Sequence, residues 1–349
     1  MEKENHEDYG RTFDAMSIND DSSAFSDCNS ERSGEVTSAS SESRRLLISC
    51  ATEHSDDMIR QLVSDLGSCS VDKQKQAAME IRLIAKNKPE NRLKIAKEGA
   101  VKPLISLILS PDLQLQEYGV TAILNLSLCD ENKEVITSLG AIEPLVLALK
   151  TGTSTTKENA ACALFRLSQV EEYKTTIGRS GAIPRLVSLL EAGGMRAKKD
   201  ASTALYSLCS VKENKIRAVE SGIMKPLVEL MVDLGSNMVD KSVFILSLLV
   251  SQPEARQALV NEEGIPVLVE LIEDGSRKQK EIAVGILLAL CEDNEVYRGM
   301  AAREGAIPPL VALSQSGANH AKQKAEQLIE LLRQPRSSNI AAKASDVSV

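Results

Sequence analysis

Along most of this chain, apolar residues recur at the spacing of one face of an α-helix. In the stretch KENAACALFRLSQ, Ala160, Ala163, Leu164 and Leu167 follow the i, i+3, i+4, i+7 pattern of an amphipathic helix. Two shorter helical stretches precede it: ENKEVITSLG, which ends at a helix-stopping glycine, and AIEPLVLALK, whose proline fits a first helical turn. The pattern predicts a unit of three helices, of which the third is the longest.

One phrase, built from Gly, a small or apolar pair, Pro and Leu-Val, recurs six times, as GAVKPLI, GAIEPLV, GAIPRLV, GIMKPLV, GIPVLV and GAIPPLV. Its leucines lie at positions 104, 145, 186, 227, 268 and 310, at intervals of 41 or 42 residues. Self-similarity at a fixed period of this size indicates a helical solenoid. With three helices in each period, the sequence predicts an all-α fold of the armadillo class, a right-handed superhelix of about seven three-helix units.

We expect the armadillo repeats to occupy residues 56–334. The predicted units are 56–88, 89–130, 131–170, 171–211, 212–252, 253–292 and 293–334, and the first unit lacks its first helix. The last helix is polar on the side that no further repeat would cover, as a terminal cap requires. Residues 1–55 form an acidic, serine-rich arm that is too poor in apolar groups to fold, and residues 335–349 are expected to be a short flexible tail.

Composition narrows the functions open to such a fold. Aromatic residues make up only 3% of the 349 and tryptophan is absent, so stacking platforms for nucleic-acid bases are not expected. Residues 1–57 hold fourteen acidic and five basic residues, whereas the rest of the chain holds 35 and 36. The repeats therefore present no net basic field, and we expect neither nucleic acid nor a membrane as partner.

The cysteines and the N-terminus suggest where the protein resides. Seven cysteines without a C-x-x-C pair are typical of reduced thiols, and the first residues contain no apolar targeting segment. We therefore expect a protein of the cytoplasm, the nucleus or both, with no integral membrane association.

The recurring GAI-x-PLV phrase, the run LNLSLCDEN and the segment EIRLIAKNKPENR resemble the armadillo region of plant U-box/armadillo ubiquitin ligases. The resemblance covers roughly residues 56–333. In that family a U-box ahead of the repeats recruits the ubiquitin-conjugating enzyme, but residues 1–55 carry no U-box-like pattern. The resemblance therefore implies an armadillo-only relative, and ligase activity is not expected.

Third helices line the concave groove of such solenoids, and we place the candidate partner-binding residues there. Nuclear-import armadillo receptors hold basic peptides in this groove with a ladder of Trp and Asn. Alignment of the repeats puts Arg82, Asn125, Arg166, Ser207 and Ser247 at the Asn position, with Thr121, Cys162 and Thr203 four residues ahead of three of them. Arginines in the ladder would repel a basic peptide and would donate hydrogen bonds to a peptide backbone or to carboxylates.

Other polar residues have simpler interpretations. A structural alternative pairs Arg82 with Glu117 and Arg166 with Glu158. The asparagines that recur after third helices are predicted to cap the next helix, and they are Asn91, Asn132, Asn214 and Asn294. The acid-flanked Ser17, Ser23 and Ser30 are candidate phosphorylation sites in the arm.

The sequence offers no candidate site for catalysis, a cofactor or a metal. It has three scattered histidines and lacks a phosphate-binding Gly-rich loop, a nucleophile elbow and metal-ligand spacing. We therefore predict a monomeric, non-enzymatic scaffold that binds a partner protein or an extended peptide in its groove. The alternatives are a substrate-recognition component or adaptor in ubiquitination that works with a separate U-box or RING ligase and, less favoured, a nuclear transport adaptor.

Overall fold

A computed structural model of the chain describes residues 56–334, which form helices and contain no strand. The expectations for residues 1–55 and 335–349, including those for Ser17, Ser23 and Ser30, lie outside the described residues. The described residues divide into two compact parts, an N-terminal block of residues 56–223 and a C-terminal block of residues 224–334.

The N-terminal block contains twelve helices in its described residues. They are α1 (Asp56–Leu66), α2 (Val71–Asn87), α3 (Pro89–Lys97), α4 (Val101–Ile108), α5 (Leu113–Leu126), α6 (Asp130–Ser138), α7 (Ile142–Thr151), α8 (Ser154–Leu167), α9 (Glu171–Arg179), α10 (Ala182–Ala192), α11 (Met195–Leu208) and α12 (Lys212–Glu220). The helices α2, α5, α8 and α11 are the third helices of successive repeats. Each packs against the next, and together they form what we call the third-helix layer of this block.

The C-terminal block continues the same order of helices. They are α13 (Met224–Val232), α14 (Met238–Leu249), α15 (Pro253–Asn261), α16 (Gly264–Asp274), α17 (Arg277–Cys291), α18 (Glu295–Arg303), α19 (Ile307–Ser316) and α20 (Asn319–Arg333). Here α14 packs against α17, and α17 against α20. The all-α fold with three helices per repeat is confirmed.

The third helices α5, α8 and α17 are buried on several sides because each contacts the third helix before it, the third helix after it and the second helix of its own repeat. In α5 every residue from Gly119 to Leu126 is buried. Small and aliphatic side chains fill these contacts, which explains how a chain with so few aromatic residues still builds a continuous core.

A left-handed residue lies between the first and second helices of most repeats. It is Gly99, Gly140, Gly181 or Gly222 in the N-terminal block and Gly305 in the C-terminal block, with φ between 78° and 86°. The repeat with the shortened phrase GIPVLV differs, because Glu263 adopts φ 58° and the following glycine already begins α16. A residue with a Cβ therefore occupies a conformation that favours glycine.

Three of the four recurring asparagines do not cap helices as predicted. Lys88, Cys129 and Val211 are the N-caps of α3, α6 and α12, and the asparagines lie buried within the first turn that follows. Only the fourth, Asn294, caps its helix, through bonds to the backbone N–H groups of residues 296 and 297.

Two of the buried asparagines instead join consecutive repeats, whereas the buried Nδ2 of Asn91 has no partner in the described residues. Asn132 Nδ2 donates to the carbonyl of Leu126 at the end of α5 (3.1 Å) and to that of Arg92 in α3 (3.0 Å). In the next but one repeat, Asn214 Nδ2 donates to the carbonyls of Leu208 (3.0 Å) and Lys174 (2.9 Å). Each of these two side chains therefore adds a donor to a carbonyl near the end of a third helix and to one in the preceding first helix.

Candidate partner-binding surface

Four of the eight candidate residues lie inside the third-helix layer rather than on its surface. The exposed fractions are 8% for Thr121, 6% for Asn125, 1% for Cys162 and 0% for Thr203. The hydroxyls of Thr121 and Thr203 donate to the carbonyls four residues earlier in their own helices. These four positions face neighbouring third helices, so their role is packing, and a partner would have little access to them.

Asn125 and Thr121 also bond across the layer. Asn125 Nδ2 donates to the carbonyl of Arg82 in α2 at 2.8 Å, and Asn159 Nδ2 in α8 donates to Thr121 Oγ1 at 2.8 Å. The polar atoms that the sequence suggested for a peptide backbone thus tie α2, α5 and α8 together.

The other four candidates, Arg82, Arg166, Ser207 and Ser247, are half-buried and reach the surface. Ser207 Oγ accepts a hydrogen bond from Ser168 Oγ at 2.7 Å and donates to the carbonyl of Ser168 at 3.4 Å. Ser247, in the C-terminal block, donates to the carbonyl of Phe244 at 2.7 Å. The two serines are therefore already engaged in local bonds, which leaves the arginines as the main polar groups of the N-terminal block that face solvent from these positions.

Arg82 does not occupy the same helix position as the candidate residues with which the sequence alignment matched it. Asn125, Arg166 and Ser207 lie equally far from the N-caps of their helices, Asp112, Thr153 and Gly194, whereas Arg82 lies one residue closer to its N-cap, Ser70. The helix α2 is three residues longer than α5, α8 and α11, and the sequence alignment did not account for this difference in length.

Arg82 lies against an aromatic ring of the neighbouring third helix. Its guanidinium carbon is 4.8 Å from the centroid of the Tyr118 ring, a cation–π distance. The predicted pair with Glu117 is not formed; Glu117 accepts a hydrogen bond from Thr153 Oγ1 at 2.9 Å instead. Within residues 56–334, Arg82 makes no ion pair and its buried Nε has no hydrogen-bond partner.

Arg166 belongs to a group of cations at the C-terminal ends of the third helices. Its guanidinium carbon is 5.4 Å from the ring of Phe165, and its charge lowers the pKa of Arg92, which burial lowers further and more strongly. Its charge also contributes to the lowered pKa of Asp130, whose main cause is the hydrogen bond from Lys133. We call Arg82, Arg92, Arg166 and the buried Lys133 the cationic surface.

The balance of charge at this surface is positive. Lys133 Nζ lies 2.6 Å from Asp130 Oδ1 and also donates to Gln169 Oε1 at 2.9 Å. The second predicted partner of an arginine, Glu158, lies 3.4 Å from Arg196 Nε. The pKa shifts place two carboxylates among these cations, Asp130 and Glu90. Because Lys133 is buried, an anionic ligand would meet the three arginines.

Sequence reasoning missed a basic residue that recurs in the first helices. Arg92 and Lys133 in the N-terminal block and Arg256 and Arg298 in the C-terminal block occupy the same place in their repeats. The arginines donate from Nε to carbonyls at the ends of the preceding third helices: Arg92 to Ala85, Arg256 to Val250 and Arg298 to Cys291, at 2.7–2.8 Å. A cation there complements the negative end of the helix dipole, and its period of about 41 residues was the available signal.

The described residues hold no group of three or more His, Cys, Asp or Glu side chains that could bind a metal ion. Burial raises the pKa of Cys209 and Cys291 to about 12, so these thiols stay protonated at neutral pH. Among the helices of residues 56–334, none combines the length and the apolar character needed to cross a membrane.

Comparisons with known proteins agree with the repeat pattern. The model of the family "Plant U-box protein ARM repeat region" matches residues 58–348. U-box domain-containing protein 4 of Arabidopsis thaliana is 46% identical over 103 residues, which are 29% of this chain and 12% of that protein. The E3 ubiquitin-protein ligase SPL11 of Oryza sativa subsp. japonica is 47% identical over 73 residues, 21% of this chain and 10% of that protein. The chain thus matches only about a tenth of the length of these curated relatives.

Solved structures support the fold. An engineered protein has a TM-score of 0.70 and 24% identity over 85% of this chain and 76% of its own. A designed armadillo repeat protein in complex with the peptide (KR)4 has a TM-score of 0.58 and 24% identity, covering 66% of this chain and 99% of its own. These similarities confirm the predicted armadillo fold.

Proposed function

The chain belongs to the family of plant U-box protein ARM repeat regions, and on that premise we propose that it is a protein-interaction module that binds an extended segment of a partner on its third-helix layer. The repeats supply recognition, and no chemistry is assigned to them. The module works in the cytoplasm, the nucleus or both.

The observation that carries this proposal is the state of Arg82. Its guanidinium lies half-buried against Tyr118, and its Nε has neither a carboxylate nor a carbonyl as partner in the described residues. An unmade hydrogen bond at a buried donor costs about 1 to 3 kcal/mol. A ligand carboxylate that draws the Arg82 side chain towards solvent supplies an acceptor and recovers this free energy, so the surface gains from being occupied.

The charge of the surface indicates the class of partner. The designed armadillo protein of similar fold was solved with a peptide of alternating lysine and arginine. Here the corresponding layer presents Arg82 and Arg166, and such a peptide would be repelled. We therefore propose a partner segment that carries Asp or Glu side chains, spaced so that they reach the two arginines.

Selection of ligands from a random peptide library, with the full chain as target, tests this proposal. Selected peptides are then measured by fluorescence anisotropy against the wild type, against Arg82→Gln with Arg166→Gln, and against Arg179→Gln with Arg185→Gln. The control arginines are exposed residues of the same block, outside the third-helix layer, and their change removes the same charge.

We expect acidic ligands that lose about tenfold or more in affinity for the Arg82/Arg166 variant, because each lost charged hydrogen bond is worth about 1.5 to 3 kcal/mol. The control variant should bind like the wild type. Basic ligands, or ligands that bind both variants equally, would contradict the proposal.

A second candidate function follows from the relatives. Because several are named as U-box proteins and one as a ubiquitin ligase, the module could recognise substrates for ubiquitination in partnership with a separate U-box or RING ligase. Two measurements test this. The purified chain, mixed with ubiquitin-activating and ubiquitin-conjugating enzymes alone, should build no ubiquitin chains. When the partner ligase is added, ubiquitin should be transferred to a substrate that is bound by the repeats. Autoubiquitination of the chain by itself would contradict this division of labour.

A further inference from the structure

The chain itself contains a segment whose charge matches the cationic surface. Residues 17–43 hold six acidic residues, a single basic residue and ten serines. The segment lies outside the described residues, so its sequence alone enters here. Its net charge is opposite to that of the cationic surface, where four cations lie near two carboxylates, Asp130 and Glu90.

The chain enters the described fold close to this surface. Asp56, the first residue of α1, is bonded to Lys94 Nζ at 3.0 Å. Lys94 lies in the same short helix as Arg92, whose Nε donates to the carbonyl of Ala85 at 2.8 Å. Ala85 lies one turn from Arg82 along α2. A continuous series of contacts therefore connects the entry point of the chain to the cationic surface.

The connection is long enough for docking. Twelve residues lie between residue 43 and residue 56, and an extended chain spans about 3.3 Å for each residue, or roughly 40 Å in all. Neighbouring packed helices lie about 8 to 10 Å apart, so the distance from α2 to α8, which carries Arg166, is roughly 20 Å. Both arginines are within reach of the acidic segment.

We propose that residues 17–43 dock in cis onto the cationic surface and compete there with the partner. The inference rests on the proposed function in that the partner and the segment use the same two arginines. Lys75, on the same helix as Arg82, takes no part, because its Nζ is 2.6 Å from Asp112 Oδ2 and that carboxylate has its pKa lowered by the hydrogen bond.

Phosphorylation tunes this contact. Ser17, Ser23 and Ser30 lie within the segment, and each phosphate adds a charge of about −1.5 to −2 and three acceptor oxygens. Phosphate accepts paired hydrogen bonds from a guanidinium, so phosphorylated serines strengthen docking at Arg82 and Arg166.

The test uses the full chain and a fluorescent synthetic peptide of residues 17–43, added in trans. Four proteins are compared. They are the wild type, a variant with a neutralised arm (Asp20→Asn, Asp21→Asn, Asp27→Asn and Glu31→Gln), this variant with Arg82→Gln and Arg166→Gln added, and, as the charge-matched control, the arm-neutralised variant with Arg179→Gln and Arg185→Gln added. Circular dichroism and melting temperatures establish that all of them are folded.

In the wild type the tethered segment competes at an effective concentration of about a millimolar. We expect the peptide to bind the arm-neutralised chain about tenfold more tightly than the wild type, to lose that affinity when Arg82 and Arg166 are replaced, and to keep it in the control. Phosphoserine at Ser23 and Ser30 of the peptide should tighten binding, and high salt should weaken it.

Three outcomes would overturn the inference: no binding of either peptide form to the arm-neutralised chain at low salt, equal binding to the wild type and the arm-neutralised chain, or binding that survives the loss of both arginines. None of them depends on the external partner. If the selected acidic ligands bind the repeats and the peptide of residues 17–43 does not, the docking of the arm is contradicted and the proposed function is not.

Discussion

Replacement of Glu263 by glycine should stabilise the C-terminal block. Glu263 adopts φ 58°, while the equivalent position in the next repeat is Gly305 at φ 78°. The glutamate side chain is exposed and makes no hydrogen bond or ion pair within the described residues, so the substitution Glu263→Gly removes no side-chain contact.

The expected gain is the difference between two backbone effects. A left-handed conformation costs a residue with a Cβ about 1 to 2 kcal/mol. Glycine avoids this cost but loses about 0.5 to 1 kcal/mol more conformational entropy on folding than alanine does. The net stabilisation should be about 0.5 to 1 kcal/mol.

Gly305→Ala is the reverse substitution at the equivalent position of the next repeat, because it adds a Cβ where Glu263→Gly removes one. A Cβ added at Gly305 would have no atom within 4 Å, so its effect is conformational rather than steric. It should destabilise the same block by about the amount that Glu263→Gly gains.

Urea unfolding gives the midpoints for both variants. Because repeat proteins unfold by segments, hydrogen exchange of α15, α16, α18 and α19 should accompany it. A stabilising effect should appear as slower exchange around α15 and α16. If Glu263→Gly were neutral or destabilising while Gly305→Ala was destabilising, the left-handed conformation would not be a cost at Glu263, and the reasoning would be refuted.

Four further predictions concern hydrogen bonding, packing and thiol burial. Asn132→Ala should destabilise the N-terminal block by about 1 to 3 kcal/mol, since it removes two buried hydrogen bonds worth about 0.5 to 1.5 kcal/mol each, and faster hydrogen exchange in α5 and α6 would show it. Gly178→Ala places a Cβ 1.8 Å from the Oδ1 of the asparagine packed against it and should lower the melting temperature, whereas Gly194→Ala, with no atom within 4 Å, should not. In thiol titration of the native protein Cys69 should react at once and Cys209 only on unfolding. Because the pKa of Cys209 is raised to about 12, the folded state binds more protons than the unfolded state above pH 9, and stability should fall as pH rises from 9 towards 12.

The repeat fold could be predicted from sequence because its signals are local. A glycine after each first helix and a proline in the second helix recur at one period, and the structure has a left-handed glycine at five of these places. The exception, Glu263, arises where the phrase is one residue shorter. The alignment matched its glycine to the others, but the backbone places the left-handed turn one residue earlier.

The binding surface was harder to predict because it depends on contacts between distant residues. Thr121, Cys162 and Thr203 share a helical face with the arginines in sequence, yet all three are buried, because a third helix is covered from several directions. Small residues are common both in binding grooves and in contacts between helices, so the residue type alone does not distinguish a groove position from a packing position. Asn132 looked like an N-cap for a similar reason, since its bond to Arg92 spans forty positions.

The asparagine bridges have a consequence for how such chains can be cut and recombined. Asn132 completes the end of α5 and reaches into α3, so the residue that finishes one repeat is encoded in the next. Boundaries drawn at the last residue of a third helix would separate that helix from its donor. A segment exchanged between relatives, or inserted as a duplicate, should instead begin after one first-helix asparagine and end after the following one, so that each carbonyl travels with the side chain that satisfies it.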